Sequence, residues 1–174
     1  MRGMRAALLL LVLASCSESK KWIDVRATKL HVGSLEADIP PGWRDINELA
    51  DKSKLPKLLP GSRSLLPESL AERGEITVFP IQAEIKGDDC VNLGNLIQAQ
   101  GEGRVVISRA QGAMFANSPG CMMDMSVDGH SGDLRVVTPA GGSTVGVRCM
   151  GRAKDLDYAC DKILYGLHVT PAPK

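Results

Sequence analysis

The stretch 143-STVGVRCMGRAKDLDYACDKILYGLH-168 changes period in its middle, and that change decides the fold class. Residues 143–150 alternate as a strand with Cys149 near its end, whereas from Asp155 onward Leu156, Ala159, Cys160, Ile163, Leu164 and Leu167 recur at helical spacing. A helix with one apolar stripe needs a sheet to cover it. Three further strand candidates precede this stretch: "GRVVISRA" (103–110), "GCMMDMSV" (120–127) and "GDLRVVTP" (132–139), the last two joined by the turn-rich "DGHSG". Strands in the middle and a packed helix at the end specify an α+β layered domain.

Upstream, "KLHVGSLEADIPPGW" (29–43) alternates as a hairpin. Leu30 and Val32 point one way, Gly33-Ser34 makes a two-residue turn, Leu35, Ala37 and Ile39 return inward, and Pro40-Pro41 ends the second strand. "EITVFPIQAEI" (75–85) is β-rich, with Pro80 marking an edge or a bulge. Asp88 or Asp89 then caps a helix through "CVNLGNLIQAQ", ending near Gly101. Residues 44–75 are expected to hold one or two short helices broken by Pro56, Pro60 and Pro67. Leucines 55, 58, 59, 65, 66 and 70 then pack under the domain's edge, because each proline resets the phase a lipid-dipping helix needs.

The N-terminal "RAALLLLVLASCSES" (5–19) places a short apolar run after Arg2 and Arg5 and stops it at a cysteine. The run is far shorter than the roughly 20 residues a spanning helix needs. With its basic start and small residues before a cut, it reads as a secretory signal. Leu13-Ala14-Ser15-Cys16 resembles the lipobox of bacterial lipoproteins. That resemblance implies cleavage before Cys16 and diacylglycerol on its thiol, with residues 1–15 removed, 16–27 as lipidated cysteine and tether, 28–169 as one α+β domain and 170–174 as a tail. An ordinary signal with an incidental cysteine is the alternative. Ser17, where an aspartate commonly retains lipoproteins at the inner membrane, implies the outer membrane and its periplasmic leaflet in a diderm source.

The 174-residue chain carries 21 Lys+Arg and 20 Asp+Glu. Removing residues 1–15, which hold two arginines and no acid, turns the formal net charge from +1 to −1. A near-neutral domain with six aromatic residues has neither the electrostatic footprint nor the stacking platforms of a nucleic-acid binder.

The order of elements, from the hairpin into Ile39-Pro40-Pro41-Gly42-Trp43, through a run of antiparallel strands, to a strand ending in Cys149 and the helix "CDKILYGL", is similar to the α/β/α sandwich of PsbP-like and DcrB-like proteins over about residues 28–169. The resemblance implies a non-enzymatic envelope or accessory protein acting through its surface. It implies no functional residue, because members differ widely in function.

Four cysteines remain beyond Cys16: Cys90, Cys121, Cys149 and Cys160. An even count in an exported chain reads as disulfides, with three possible pairings, and no Cys-x-x-Cys marks a metal site. Cys160 falls on the final helix's apolar stripe, facing the sheet near the end where Cys149 lies, which points to Cys149–Cys160 and leaves Cys90 with Cys121; buried free thiols are the alternative. His31, His130 and His168 have no companion at ligand spacing along the chain. Cys121, His130 and Asp133 would be a nucleophile, base and orienter, but a strand cysteine beside a hairpin turn describes them more simply. Met122, Met123 and Met125 suit Cu(I) by chemistry, yet alternation puts Met123 and Met125 on one face with Cys121 and Val127, as core. No catalytic residue, metal or cofactor is therefore expected. The expected role is a membrane-anchored interaction or accessory module with a protein partner, and the alternative is a small-ligand or metal-handling, even enzymatic, periplasmic lipoprotein.

Overall fold

The structure, a computed structural model, describes residues 28–46, 61–69, 71–82 and 89–170. The expected signal segment (residues 1–15), Cys16 and the expected tether to residue 27, leucines 55, 58, 59 and 70, the alternative cap Asp88 and residues 171–174 lie outside the described residues. Among the described residues ten strands and two helices follow in the order β1 (Lys29–Val32), β2 (Leu35–Asp38), β3 (Trp43–Asp45), β4 (Arg63–Pro67), β5 (Gly74–Pro80), α1 (Cys90–Gln100), β6 (Val105–Phe115), β7 (Ser118–Val127), β8 (His130–Val137), β9 (Val145–Gly151), α2 (Leu156–Gly166) and β10 (His168–Val169). All strand pairs are antiparallel, in a seven-stranded sheet ordered β3-β4-β5-β9-β8-β7-β6 and a three-stranded sheet ordered β1-β2-β10. The class is α+β.

The N-terminal hairpin closes on Gly33 at φ +61°, with Val32 opposite Leu35, so Leu30, Val32, Leu35 and Ala37 are all buried. These residues and the stripe of α2 (Leu156, Ala159, Cys160, Ile163 and Leu164) form one core with Leu65, Ile76, Val78, Val145, Val147 and Cys149 of the large sheet. On the sheet's other face α1 covers β6 and β7, where Cys90 and Leu93 pack with Cys121, Met123, Met125, Leu134 and Val136. One helix thus lies on each face of the large sheet, with the small sheet sharing the α2 side. Met123 and Met125 are core residues, as strand alternation requires.

Residues 47–60, where Pro56 and Pro60 fall, lie outside the described residues, and of the rest of 44–75 the described part is extended rather than helical: β3 and β4 are strands, and Leu65 and Leu66 lie in β4. Gly61, at φ +77°, and Pro67 bracket a window too short to repay helix nucleation. Pairing with β3 and β5 instead satisfies the backbone on both sides. Pro80 marks neither an edge nor a bulge. It ends β5, an interior strand, opposite Val145, where a missing N–H costs the ladder least.

β6 runs further than the motif "GRVVISRA" suggests, because Ala116 and Asn117, both at positive φ, turn the chain into β7. The next hairpin uses Asp128-Gly129 in the same way. β6 is an outer strand of the large sheet, with a bulge between Ile107 and Arg109. Gln98 of α1 reaches across so that its Oε1 accepts the Ile107 N–H at 2.8 Å.

Candidate functional site

The cysteines, read first as structural, are structural. Cys90 is joined to Cys121 with Cα atoms 5.4 Å apart, and Cys149 to Cys160 at 6.4 Å. Each bridge fastens one helix to the sheet, α1 to β7 and α2 to β9, and all four cysteines are buried. Cys121 therefore offers no thiolate to His130, which stands exposed at the start of β8.

Asp133 belongs to a charged cluster under α2. Alternation along β8 sends Asp133 and Arg135 to the α2 side, and Arg135 is buried there. Its guanidinium forks onto the Asp133 carboxylate, at 3.0 Å from Nε and 3.2 Å from Nη2, while Nη1 donates to Asp161 of α2 and Asp157 lies 3.7 Å from Nη2. Burial pushes the Asp133 carboxyl above the usual aspartate range, against the opposing pull of Arg135, and Asp157 and Asp124 push it the same way as burial. Arg135 is the counter-charge that lets α2 sit over acidic strands.

Two concave places flank this helix. A pocket of about 210 Å³ at the C-terminal end of α2 is lined by Phe115, Val137, Pro139, Leu164, Leu167 and His168, among others. An open groove of about 670 Å³ at its N-terminal end carries Glu68, Glu72, Lys154, Asp155 and Tyr158. Trp43 anchors that end, donating its indole N–H to Asp155 at 3.2 Å.

The outer face of the small sheet brings together residues that the chain keeps far apart. His31, Glu36 and His168 are direct cross-strand partners on β1, β2 and β10. Glu36 Oε2 lies 3.5 Å from His31 Nδ1 and Oε1 lies 3.8 Å from His168 Nε2. Lys29 completes the group, 3.0 Å from Glu36 and 2.8 Å from Asp38. Its ammonium, chiefly through hydrogen bonding, holds the Glu36 and Asp38 carboxyls below their ordinary ranges, and its own pKa is raised in return. His168 Nδ1 lies 2.8 Å from the Gly166 carbonyl, which fixes that nitrogen as the N–H donor. Spacing along the chain, at which no histidine has a ligand companion, leaves no sign of this meeting, and among the described residues no group of three His, Cys, Asp or Glu could hold a metal ion. His31 and His168 are separated by most of the chain, and only β10 docking on β2 joins them. The alternation of His31 and Glu36 around Gly33-Ser34 was the one local signal available.

No family model and no curated protein matches the chain. Among solved structures it is similar to the solution structure of cyanobacterial PsbP (CyanoP) from Synechocystis sp. PCC 6803, at 13% sequence identity and a TM-score of 0.46, over 79% of this chain and 87% of that one. A similarity of this degree carries no functional residue across.

Proposed function

We propose that this chain is an envelope lipoprotein whose single domain works as a non-enzymatic interaction or accessory module, held at the membrane by lipid on Cys16. The observation that carries the reading is the pair of buried disulfides, one per helix, because such bridges belong to oxidising, extracytoplasmic compartments. The lipobox-like Leu13-Ala14-Ser15-Cys16 supplies the anchor, and two or three acyl chains on one residue meet what stable anchoring requires. No helix of the described residues is long and apolar enough to cross a membrane. The tether of residues 16–27 spans at most roughly 40 Å when extended, so the domain works near the bilayer, and its near-neutral charge and few aromatic residues favour a protein partner over nucleic acid. Ser17 favours the outer membrane.

Metabolic labelling with an alkynyl fatty acid tests the anchor. The native chain is expected to be labelled and Cys16→Ala unlabelled; label retained by Cys16→Ala refutes the reading. Sucrose-gradient fractionation from a diderm source is expected to recover the native protein with the outer membrane.

A further inference from the structure

We propose that the outer side of α2 is a docking surface for a short basic segment of a partner protein, one apolar side chain of which enters the pocket at the C-terminal end of the helix. The inference rests on the reading above that the domain works on a protein partner. The chain has only two tyrosines, Tyr158 and Tyr165. Seven residues apart on α2, they share one helical face and are 58% and 53% exposed. Aromatic side chains of this kind anchor protein interfaces, because they supply large contact area at low cost in conformational entropy.

Each tyrosine marks a hollow. Tyr165 meets Phe115 edge to face with ring centroids 6.3 Å apart, and Phe115 lines the pocket of about 210 Å³ with Val137 and Leu164. That volume falls below the about 300–1,000 Å³ of small-molecule sites and above the about 150 Å³ that holds a benzene ring, so it fits one side chain of leucine or phenylalanine size. Tyr158 borders the open groove at the N-terminal end, where Glu68, Glu72 and Asp155 stand beside Lys154. The charge between the two hollows sets the sign of the partner. Asp157 and Asp161 on α2 and Asp133 on β8 surround Arg135, and exposed Asp124 lies opposite Asp133 on one side and Arg109 on the other. Asp157 and Asp124 add to burial in raising the Asp133 carboxyl, against the Arg135 fork, so negative charge is in excess here. Lys162 already rests over the Tyr158 ring at 5.9 Å, a contact that a lysine or arginine of the partner repeats. A helix of 11 residues is about 16 Å long, the reach of about five extended residues. A segment whose apolar anchor stands about five residues from its Lys or Arg therefore spans both hollows.

Photo-cross-linking of the full chain in cells of its source tests this, with p-benzoylphenylalanine placed at Tyr158, at Tyr165 or, on the other side of the large sheet, at exposed Leu96 of α1. Both α2 positions are expected to give adducts with one and the same protein, and mass spectrometry of the linked peptide is expected to find Lys or Arg about five residues from a Leu or Phe. Adduct yield from Tyr165 should fall at least fivefold in Asp124→Asn/Asp157→Asn, two exposed positions whose neutralisation leaves the core untouched. A yield unchanged by those substitutions overturns the surface, as do adducts with lipid, with a second copy of this chain or with a segment lacking basic residues. Protein adducts from Leu96 alone overturn the α2 surface and leave the interaction module standing. No protein adduct from any of the three positions overturns the module and the surface with it.

Discussion

Asp133 shows how one residue's surroundings become a pH dependence. Its carboxyl titrates above the unfolded value near 3.8 because burial outweighs the Arg135 fork. The folded state therefore binds the proton more tightly than the unfolded chain, and ionised Asp133 detracts from stability at neutral pH. That deficit is relieved as pH falls through the raised folded pKa toward 3.8. Asp133→Asn keeps an oxygen for Arg135 Nε and removes the charge. It is expected to raise the thermal midpoint at pH 7, with the difference from the native chain shrinking as pH approaches 4. A lower midpoint at pH 7 would show that the fork outweighs burial. A second residue-scale constraint is steric. A Cβ at Gly120 would stand 2.3 Å from the Val136 carbonyl and 2.8 Å from the Phe115 ring. Gly120→Ala should cost about 1–3 kcal/mol by overpacking, read from the chemical-denaturation midpoint; an unchanged midpoint would mean that the β8 backbone at Val136 and the Phe115 ring both give way without cost.

At the scale of elements, the two bridges do different work. Cys149–Cys160 closes a separation of 11 residues and holds α2 on β9, and Cys90–Cys121 closes 31 and holds α1 on β7. In the chain-entropy model these remove about 3 and about 4 kcal/mol of unfolded-state freedom. The double substitution Cys149→Ala/Cys160→Ala should therefore lower unfolding free energy by about 3 kcal/mol, and Cys90→Ala/Cys121→Ala by somewhat more. Denaturant titration checks both, and an effect below 1 kcal/mol for either pair would place the bridge outside the stability of the fold. This pairing was legible before the structure, because Cys160 lies on the α2 stripe and the connection 150–157 returns the chain to the strand carrying Cys149. The strands β3 and β4 were not. Their leucines and prolines obey no clear period, and they became strands only because β5 presents a face and an edge to pair with.

For the molecule as a whole, local periodicity was sufficient to determine the α+β class, the β1–β2 hairpin, the β7–β9 strands, both helices and which faces of them are apolar. Each follows from side-chain direction repeating every 2 or 3.6 residues, a property of neighbours along the chain. The resemblance of Leu13-Ala14-Ser15-Cys16 to a lipobox and the cysteine count likewise needed no coordinates to be read. Strand order lay beyond that reach. β9 lies between β5 and β8, and β10 adds to a hairpin formed over a hundred residues earlier. Those adjacencies place His168 beside Glu36 and His31, and Asp161 against Arg135. Sequence alone determined what each element buries. Tertiary structure alone decided which polar side chains meet, because such meetings depend on pairing between distant segments and leave no period in either one.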